Sequence, residues 1–322
     1  MEGNDVMVDG SQGEATKISD SSPACRAGAL TNCANRPSFD GLKTEEINGV
    51  LSVEGLENDD YHSEPEVSSS QERTAWRSWE LYYRRHITKQ VPGFSSSSTE
   101  LGSDVHAWWE TKNDSLPWLF KAPAEVLTPT GQVGKAAKEF AAKEGITDQR
   151  LVSQSYWDKV WRIINALKAS KPAMELLDQV VLSEASYFWK LNGLGIRCRT
   201  DSDVGNGHWV DLKTTSCGSI DREFAKSVHD FGYGRQQAFY ELFQEQLYGE
   251  PTGFTFVVVT TGDAPEVRCK TLPRDYVDAC KRSVRRVLDE IHQRTALDHW
   301  TFPEAEEVRE LSIPNWMFPT EA

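Results

Sequence analysis

Three short β-prone segments between residues 180 and 215, separated by two glycine turns, constrain this chain more than any other feature. VVLSEASYFWK is followed by Asn192-Gly193, GIRCRTDSDV by Gly205-Asn206-Gly207, and HWVDLKTT comes next. Apolar or alternating runs of about five to eight residues, broken by such turns, predict consecutive antiparallel strands. A further strand is predicted in TGFTFVVVTT, with a partner in EVRCKTL after the turn at Gly262-Asp263-Ala264.

Helices are expected around this sheet. Ser69-x-x-Glu72 reads as a capping box opening a helix over about 70–87, and Ser97-x-x-Glu100 as a second, leading through Leu101, Val105, Trp108 and Trp109. AAKEFAAKEG predicts a short helix ending at Gly145, and Trp157, Val160, Trp161, Ile164 and Leu167 form one helical stripe over Tyr156–Ala169. Helices are also predicted over Phe231–Tyr248 and about 273–294, the latter with Lys281, Arg282, Arg285 and Arg286 outward. The fold class is α/β, a mixed central sheet flanked by helices.

The net charge of −14 argues against a polyanion partner only if it is spread evenly, and it is not. Residues 1–72 hold 15 acids and 4 bases, so −11 of the −14 lies there. Residues 1–60 are poor in aromatics and show no sustained period, which predicts an acidic disordered tail. A single domain then runs over 61–310 and a short extension over 311–322. No apolar run reaches the roughly 18 residues of a membrane span, and the first ten residues lack the pattern of a secretory signal, so a cytoplasmic protein is expected. The six cysteines form no C-x-x-C pair and read as reduced structural thiols.

The chemistry concentrates in the predicted hairpin. It brings Asp201 beside Asp211-Leu212-Lys213, and two close carboxylates suit a hard cation such as Mg²⁺, or Mn²⁺ in its place. Asp211 and Lys213 share a strand face, so the ammonium can orient a water or offset charge on a phosphate. The Leu212 backbone carbonyl offers another hard oxygen. Asp203 shares that face by parity and is the alternative to Asp201. Gly102 and His106 stand one helical turn apart, as do Gln236 and Tyr240. Glu184 is a further acid at the possible rim. Arg197 and Arg199, on the strand entering Asp201, are better candidates for phosphate contact than the basic face of the last helix. Trp108 and Trp209 are mainly core residues, with base stacking the sharper alternative.

YHSEPEVSSS, GSDVHAWWE, GIRCRTDS, WVDLKTT and YGRQQAFY occur in that order. The series resembles the RecE-type exodeoxyribonuclease VIII family of PD-(D/E)xK nucleases over about 61–295. The resemblance implies a Mg²⁺-dependent exonuclease that degrades double-stranded DNA from ends, 5′ to 3′, leaving a 3′ strand for a single-strand annealing protein in recombination. It also implies a homo-oligomer. The family's G-x-x-x-H falls on Gly102 and His106, its first acid on Asp201, its D-x-K on Asp211 and Lys213, and its Q-x-x-x-Y on Gln236 and Tyr240. His106, Asp201, Asp211 and the Leu212 carbonyl would be the metal ligands. Thr200 stands where the family usually has proline before the first acid. Rival readings are a single-strand-specific or endonucleolytic enzyme of the same fold, a catalytically silent DNA-end-binding protein, and an interaction module acting through the acidic tail.

Overall fold

The computed structural model describes residues 37–92, 97–302, 308 and 310. Most of the expected tail, residues 1–36, and the extension 311–322 lie outside the described residues, as do the Ser97 side chain of the second capping box and two cysteines, Cys25 and Cys33.

The chain enters the main sheet well before residue 61. Lys43–Ile47 (β1) and Val50–Glu54 (β2) form an antiparallel hairpin, and β2 pairs with a central strand further on. Its turn is Asn48-Gly49, both with positive φ (51° and 79°), the conformation a two-residue hairpin loop requires. The boundary expected at 60/61 is therefore corrected. Averaged over sixty residues, the acidic composition hid a strong local turn signal. β1 is exposed throughout and charged, as suits a sheet edge, while β2 buries Val50, Leu51 and Val53.

A short helix follows, Asn58–Ser63 (α1), then the two-residue strand Val67–Ser68 (β3) and the helix Ser69–Arg77 (α2). The cap is one residue earlier than predicted. Ser68 and Gln71 form the reciprocal box. Glu72 is instead fully buried in a bidentate pair with Arg235. The predicted continuous helix also breaks at Ser78, whose extended backbone ends α2 and whose hydroxyl caps Trp79–Tyr82 (α3); a π turn, Tyr83–Ile87, completes the segment.

Ser97–Thr111 (α4) is followed by strand Leu119–Lys121 (β4), helix Lys135–Glu144 (α5) and strand Arg150–Val152 (β5); β4 and β5 form a small parallel sheet absent from the sequence reading. Gln154–Ala169 (α6) carries the anticipated apolar stripe, and Lys171–Asp178 (α7) follows it. The strands are Leu182–Leu191 (β6), Leu194–Asp203 (β7) and Trp209–Thr215 (β8). After helices Ile220–Phe231 (α8) and Tyr233–Tyr248 (α9) come strands Phe254–Thr260 (β9) and Val267–Lys270 (β10) and the long helix Arg274–Leu297 (α10). α8 was not expected from the sequence, and Gly232, with φ of +68°, separates it from α9, whose predicted start was Phe231.

The sheet runs β1-β2-β6-β7-β8-β9-β10, with β3 parallel to β7 off this path. β6 and β7 pair along their length, but β7 and β8 share only Ser202↔Val210 and Asp203↔Trp209 before diverging, and β8 then runs parallel to β9 over seven residues. The third strand is thus half a hairpin. One face of the sheet packs α2, α8, α9 and α10 around Trp209, Phe243 and Phe256; the other packs α4, α6 and α7 around Trp108, Ile163 and Leu212. No helix among the described residues is long and apolar enough to cross a membrane.

Candidate active site

The site lies in the fork where β7 leaves β8. A gap in the β6–β7 ladder, between Ser183↔Ser202 and Ala185↔Thr200, sets Glu184 opposite Asp201, and continuing the β7–β8 register one step past Ser202↔Val210 sets Asp201 opposite Asp211. Three acids form one row across three strands. The ladder is interrupted at both steps. Glu184 has φ of +50°, which turns its backbone out of pairing with Asp201. Asp201 Oδ2 accepts the Leu212 backbone N–H at 2.7 Å, replacing a strand-to-strand carbonyl. Neighbouring groups on an extended residue leave on one side, so the Leu212 carbonyl faces the same fork.

α4 supplies the opposite wall. A Cβ on Gly102 would lie 3.1 Å from Thr214 Oγ1, so the absence of a side chain lets α4 approach β8 closely. One turn on, His106 Nδ1 stands 3.4 Å from Asp201 Oδ2. His106, Glu184 and Asp201 each offer a donor atom within 4.8 Å of the others. A nitrogen and two carboxylate oxygens so placed fit a divalent cation.

Asp211 is buried, and burial pushes its carboxyl up to about 6 despite the opposing pull of Lys213. Lys213 Nζ pairs with Asp211 Oδ2 at 2.6 Å. Burial disfavours that ammonium, but Asp211 and Asp201 outweigh it and raise the lysine above its ordinary value, which keeps it charged. Gln236 Nε2 donates to Asp211 Oδ1 at 2.6 Å. Glu184 is pushed up to about 8 by burial and then by Asp201, with Arg199 opposing. A cavity of about 700 Å³ opens in front, lined among others by His106, Glu110, Glu184, Arg199, Lys213 and Tyr233.

Several expected roles change here. The Asp203 carboxylate accepts the Trp209 indole N–H and the Gly205 amide, which leaves Asp201 as the acid in the row. Arg197 is buried and donates to the backbone carbonyls of Glu64 and Glu66, clamping the α1–β3 segment onto the sheet instead of meeting DNA. Tyr240 is buried too, its hydroxyl donating to the Arg199 carbonyl at 2.7 Å, which removes it from a DNA-facing edge, while the half-buried Gln236 donates to Asp211. Arg199 does reach the cavity. It is held by Ser186 Oγ and the Leu56 carbonyl, stacks on Tyr61, and faces Glu184 at 3.8 Å. Trp108 and Trp209 are fully buried, closing the base-stacking alternative for both. Lys281 of α10 turns inward to Glu241 and Glu245, and Arg285 also pairs with Glu245.

Glu184 moves from the rim to the centre. Glu110, Tyr233 and the Gly55–Asn58 loop were missed as cavity wall. Glu110 was legible in principle, since it follows Gly102 and His106 at the same four-residue step on α4. Burial raises its carboxyl, with Arg199 opposing and Glu57 adding to the rise.

Comparison with known proteins settles the family. The model of a PDDEXK-like domain of unknown function (DUF3799) matches residues 78–309. The chain belongs to the DUF3799 family. A crystal structure from Eubacterium rectale described as a "putative exonuclease" superposes with a TM-score of 0.55 at 17% identity, covering 80% of this chain and 95% of that one. No curated protein matches. The DUF3799 match includes α4, the acid row and Lys213, and begins after the hairpin that contributes β1 and β2. The central sheet with flanking helices is thus a PD-(D/E)xK-type core.

Proposed function

We propose that this protein is a divalent-metal-dependent nuclease that hydrolyses DNA phosphodiesters, working from duplex ends. The observation that carries the reading is that Glu184, Asp201 and Asp211 stand at matching positions of three neighbouring strands, with Asp211 beside Lys213 and with Glu184 and Lys213 lining a cavity. Lys213 and Arg199 offset part of this crowding of acids, and a bound divalent cation would offset the repulsion left between Glu184 and Asp201.

His106, Glu184 and Asp201 would hold the cation, with Asp211 and the Leu212 carbonyl completing the oxygen set. Mg²⁺, or Mn²⁺ in its place, would supply the Lewis acidity that activates water and stabilises charge on the phosphoryl group. Gln236 fixes Asp211 through Oδ1, so the other oxygen is presented to Lys213 and the fork. Lys213 orients the attacking water and offsets charge on the scissile phosphate. Arg199, held on three sides, is the cation best placed to receive a neighbouring phosphate.

The motif series that resembles the RecE-type exodeoxyribonuclease VIII family supports the finer reading: digestion 5′ to 3′ by a homo-oligomer, with the 3′ strand passed to a single-strand annealing protein in recombination. The description of the Eubacterium rectale protein agrees with an exonucleolytic mode. Linear, nicked and covalently closed duplexes incubated with and without Mg²⁺ test this. Linear DNA should lose nucleotides progressively only with metal, 5′-labelled ends should be released first, and closed circles should persist. Rapid cutting of closed circles would establish an endonuclease instead.

A further inference from the structure

We propose that the surface around Phe231 is a binding platform for single-stranded DNA, continuous with the catalytic cavity; the proposal rests on the nuclease reading above. The Lys213 ammonium sits 5.0 Å from the centre of the Tyr233 ring, and Tyr233 lines the cavity. Tyr233 in turn lies against Phe231, ring centres 5.8 Å apart and planes inclined by 30°. Phe231 is the last residue of α8 and is 54% exposed. The three groups form a ladder leading from the proposed chemistry to solvent, and its outermost rung is an aromatic ring with an open side.

Cations flank that rung. Arg73 donates to the Phe231 carbonyl at 2.6 Å and Arg77 to the Asp230 carbonyl. Both guanidiniums thus cap α8 through backbone oxygens, and among the described residues neither pairs with a carboxylate. Asp230, beside Phe231, is already bound by Lys226 and His229, and Glu72 of α2 is bound by Arg235. Gly232 makes the arrangement possible, since its left-handed turn brings α9 back under Arg73, whose Cδ would lie 2.9 Å from an added Cβ. Between the two arginines α2 presents Trp76, 41% exposed, with the Arg235 guanidinium 4.6 Å from its ring centre.

The exposed Trp76 and Phe231 rings, with the Arg73 and Arg77 guanidiniums beside them, match the chemistry of an unpaired strand, whose bases offer π-faces and whose phosphates offer charge. A duplex would not use them, because its bases already stack on each other. A strand unpaired at a DNA end would therefore lie along Trp76 and Phe231 while its phosphodiester enters beside Lys213.

The experiment measures fluorescence anisotropy of 5′-fluorescein-labelled dT20, and quenching of 2-aminopurine in the same oligomer, with the full chain in EDTA at low salt. Phe231→Ala should weaken binding about 5- to 150-fold, the range for losing one stacked base, and Phe231→Trp should restore it. Arg77→Gln should weaken binding and reduce the salt slope by about one counterion. Wild-type affinity in both Phe231→Ala and Arg77→Gln would overturn the platform, as would a wild-type protein that digests duplex DNA yet does not bind dT20. Loss of a wild-type oligomer in Phe231→Ala with unchanged dT20 binding would also overturn it, assigning the surface to a second copy of the chain. Absence of metal-dependent hydrolysis of any DNA would instead remove the nuclease reading, and Phe231-dependent dT20 binding would stand apart from it.

Discussion

Glu184→Gln should make the metal-free protein more stable and the enzyme less active. Two costs meet at Glu184. Its φ of +50° is a conformation that costs an ordinary L-residue about 1–2 kcal/mol. Its carboxylate lies within 4.8 Å of the Asp201 carboxylate. Two charges at that distance repel by about 1–3 kcal/mol for effective dielectrics between about 20 and that of water. Because the Glu184 side chain is one-third exposed, the lower half of that range applies. Glutamine removes the repulsion and keeps the strain, and Glu184→Asn relieves both, because asparagine tolerates positive φ. At about 2–4 °C per kcal/mol, the remaining ~1–2 kcal/mol should make Glu184→Gln melt about 2–8 °C above wild type in EDTA at pH 8. The sign with pH follows from the carboxyl being raised to about 8 from its ordinary 4.5. The folded state then holds a proton that the unfolded chain releases, so wild type is penalised progressively from pH 4.5 to 8, and the advantage of the variant should vanish toward pH 4.5. Millimolar Mg²⁺ should reverse the order, stabilising wild type more than the variant, and nuclease activity should fall at least about tenfold with partial recovery at higher Mg²⁺. Scanning calorimetry at pH 5 and 8, with and without metal, reads all of this. A variant that melts at or below wild type in EDTA at pH 8, or gains as much from Mg²⁺ as wild type, would refute the argument.

Asp211→Asn and Lys213→Ala should each lower nuclease activity at least about 100-fold while both proteins retain a cooperative melt, since one loses a metal oxygen and the other the charge beside the phosphate; near-wild-type cleavage by either would misplace the site. Deleting residues 1–36 should leave the melting transition intact, whereas deleting 1–60 should cost at least about 3 kcal/mol, because β2 takes Val50, Leu51 and Val53 out of water; denaturant titration of both truncations compares them. His86 is lowered to about 4 by burial and by Lys89 and Arg85, so its contribution is present above its ordinary 6.5 and lost as pH falls toward 4. Wild type should lose about 1–2 kcal/mol more than His86→Gln between pH 7.5 and 5, measured by urea unfolding at each pH.

What could be read from the sequence was local. The strands, the Gly145 stop and the D-x-K pair depend on turn residues and a period of two, which act over a few positions. Side-chain direction across elements was not legible. Gln236 and Tyr240 have the predicted helical spacing, yet whether that face meets DNA or Asp211 and the Arg199 carbonyl depends on how α9 rolls against β7 and β8. Arg197 looked like Arg199 by position, two residues apart on one strand. What separates them is a distant segment, since the carbonyls of Glu64 and Glu66 close over Arg197 while Arg199 is left at the cavity edge.

Glu184 shows the limit most clearly. A single acid in an apolar strand has no distinguishing neighbour in sequence, and its importance comes from two non-local facts: the β6–β7 register that sets it opposite Asp201, and the positive φ that turns it out of the ladder. A fully paired β6–β7–β8 ladder would spend every backbone group on its neighbour strand. Where β6 turns out of pairing at Glu184 and β8 diverges from β7 beyond Val210, Asp201 takes the Leu212 amide and, with Glu184 and His106, offers ligand atoms within 4.8 Å of one another. The local loss of strand pairing is thus the structural origin of the site, and a substitution that restored pairing at Glu184 would be expected to strengthen the sheet and dismantle the acid row together.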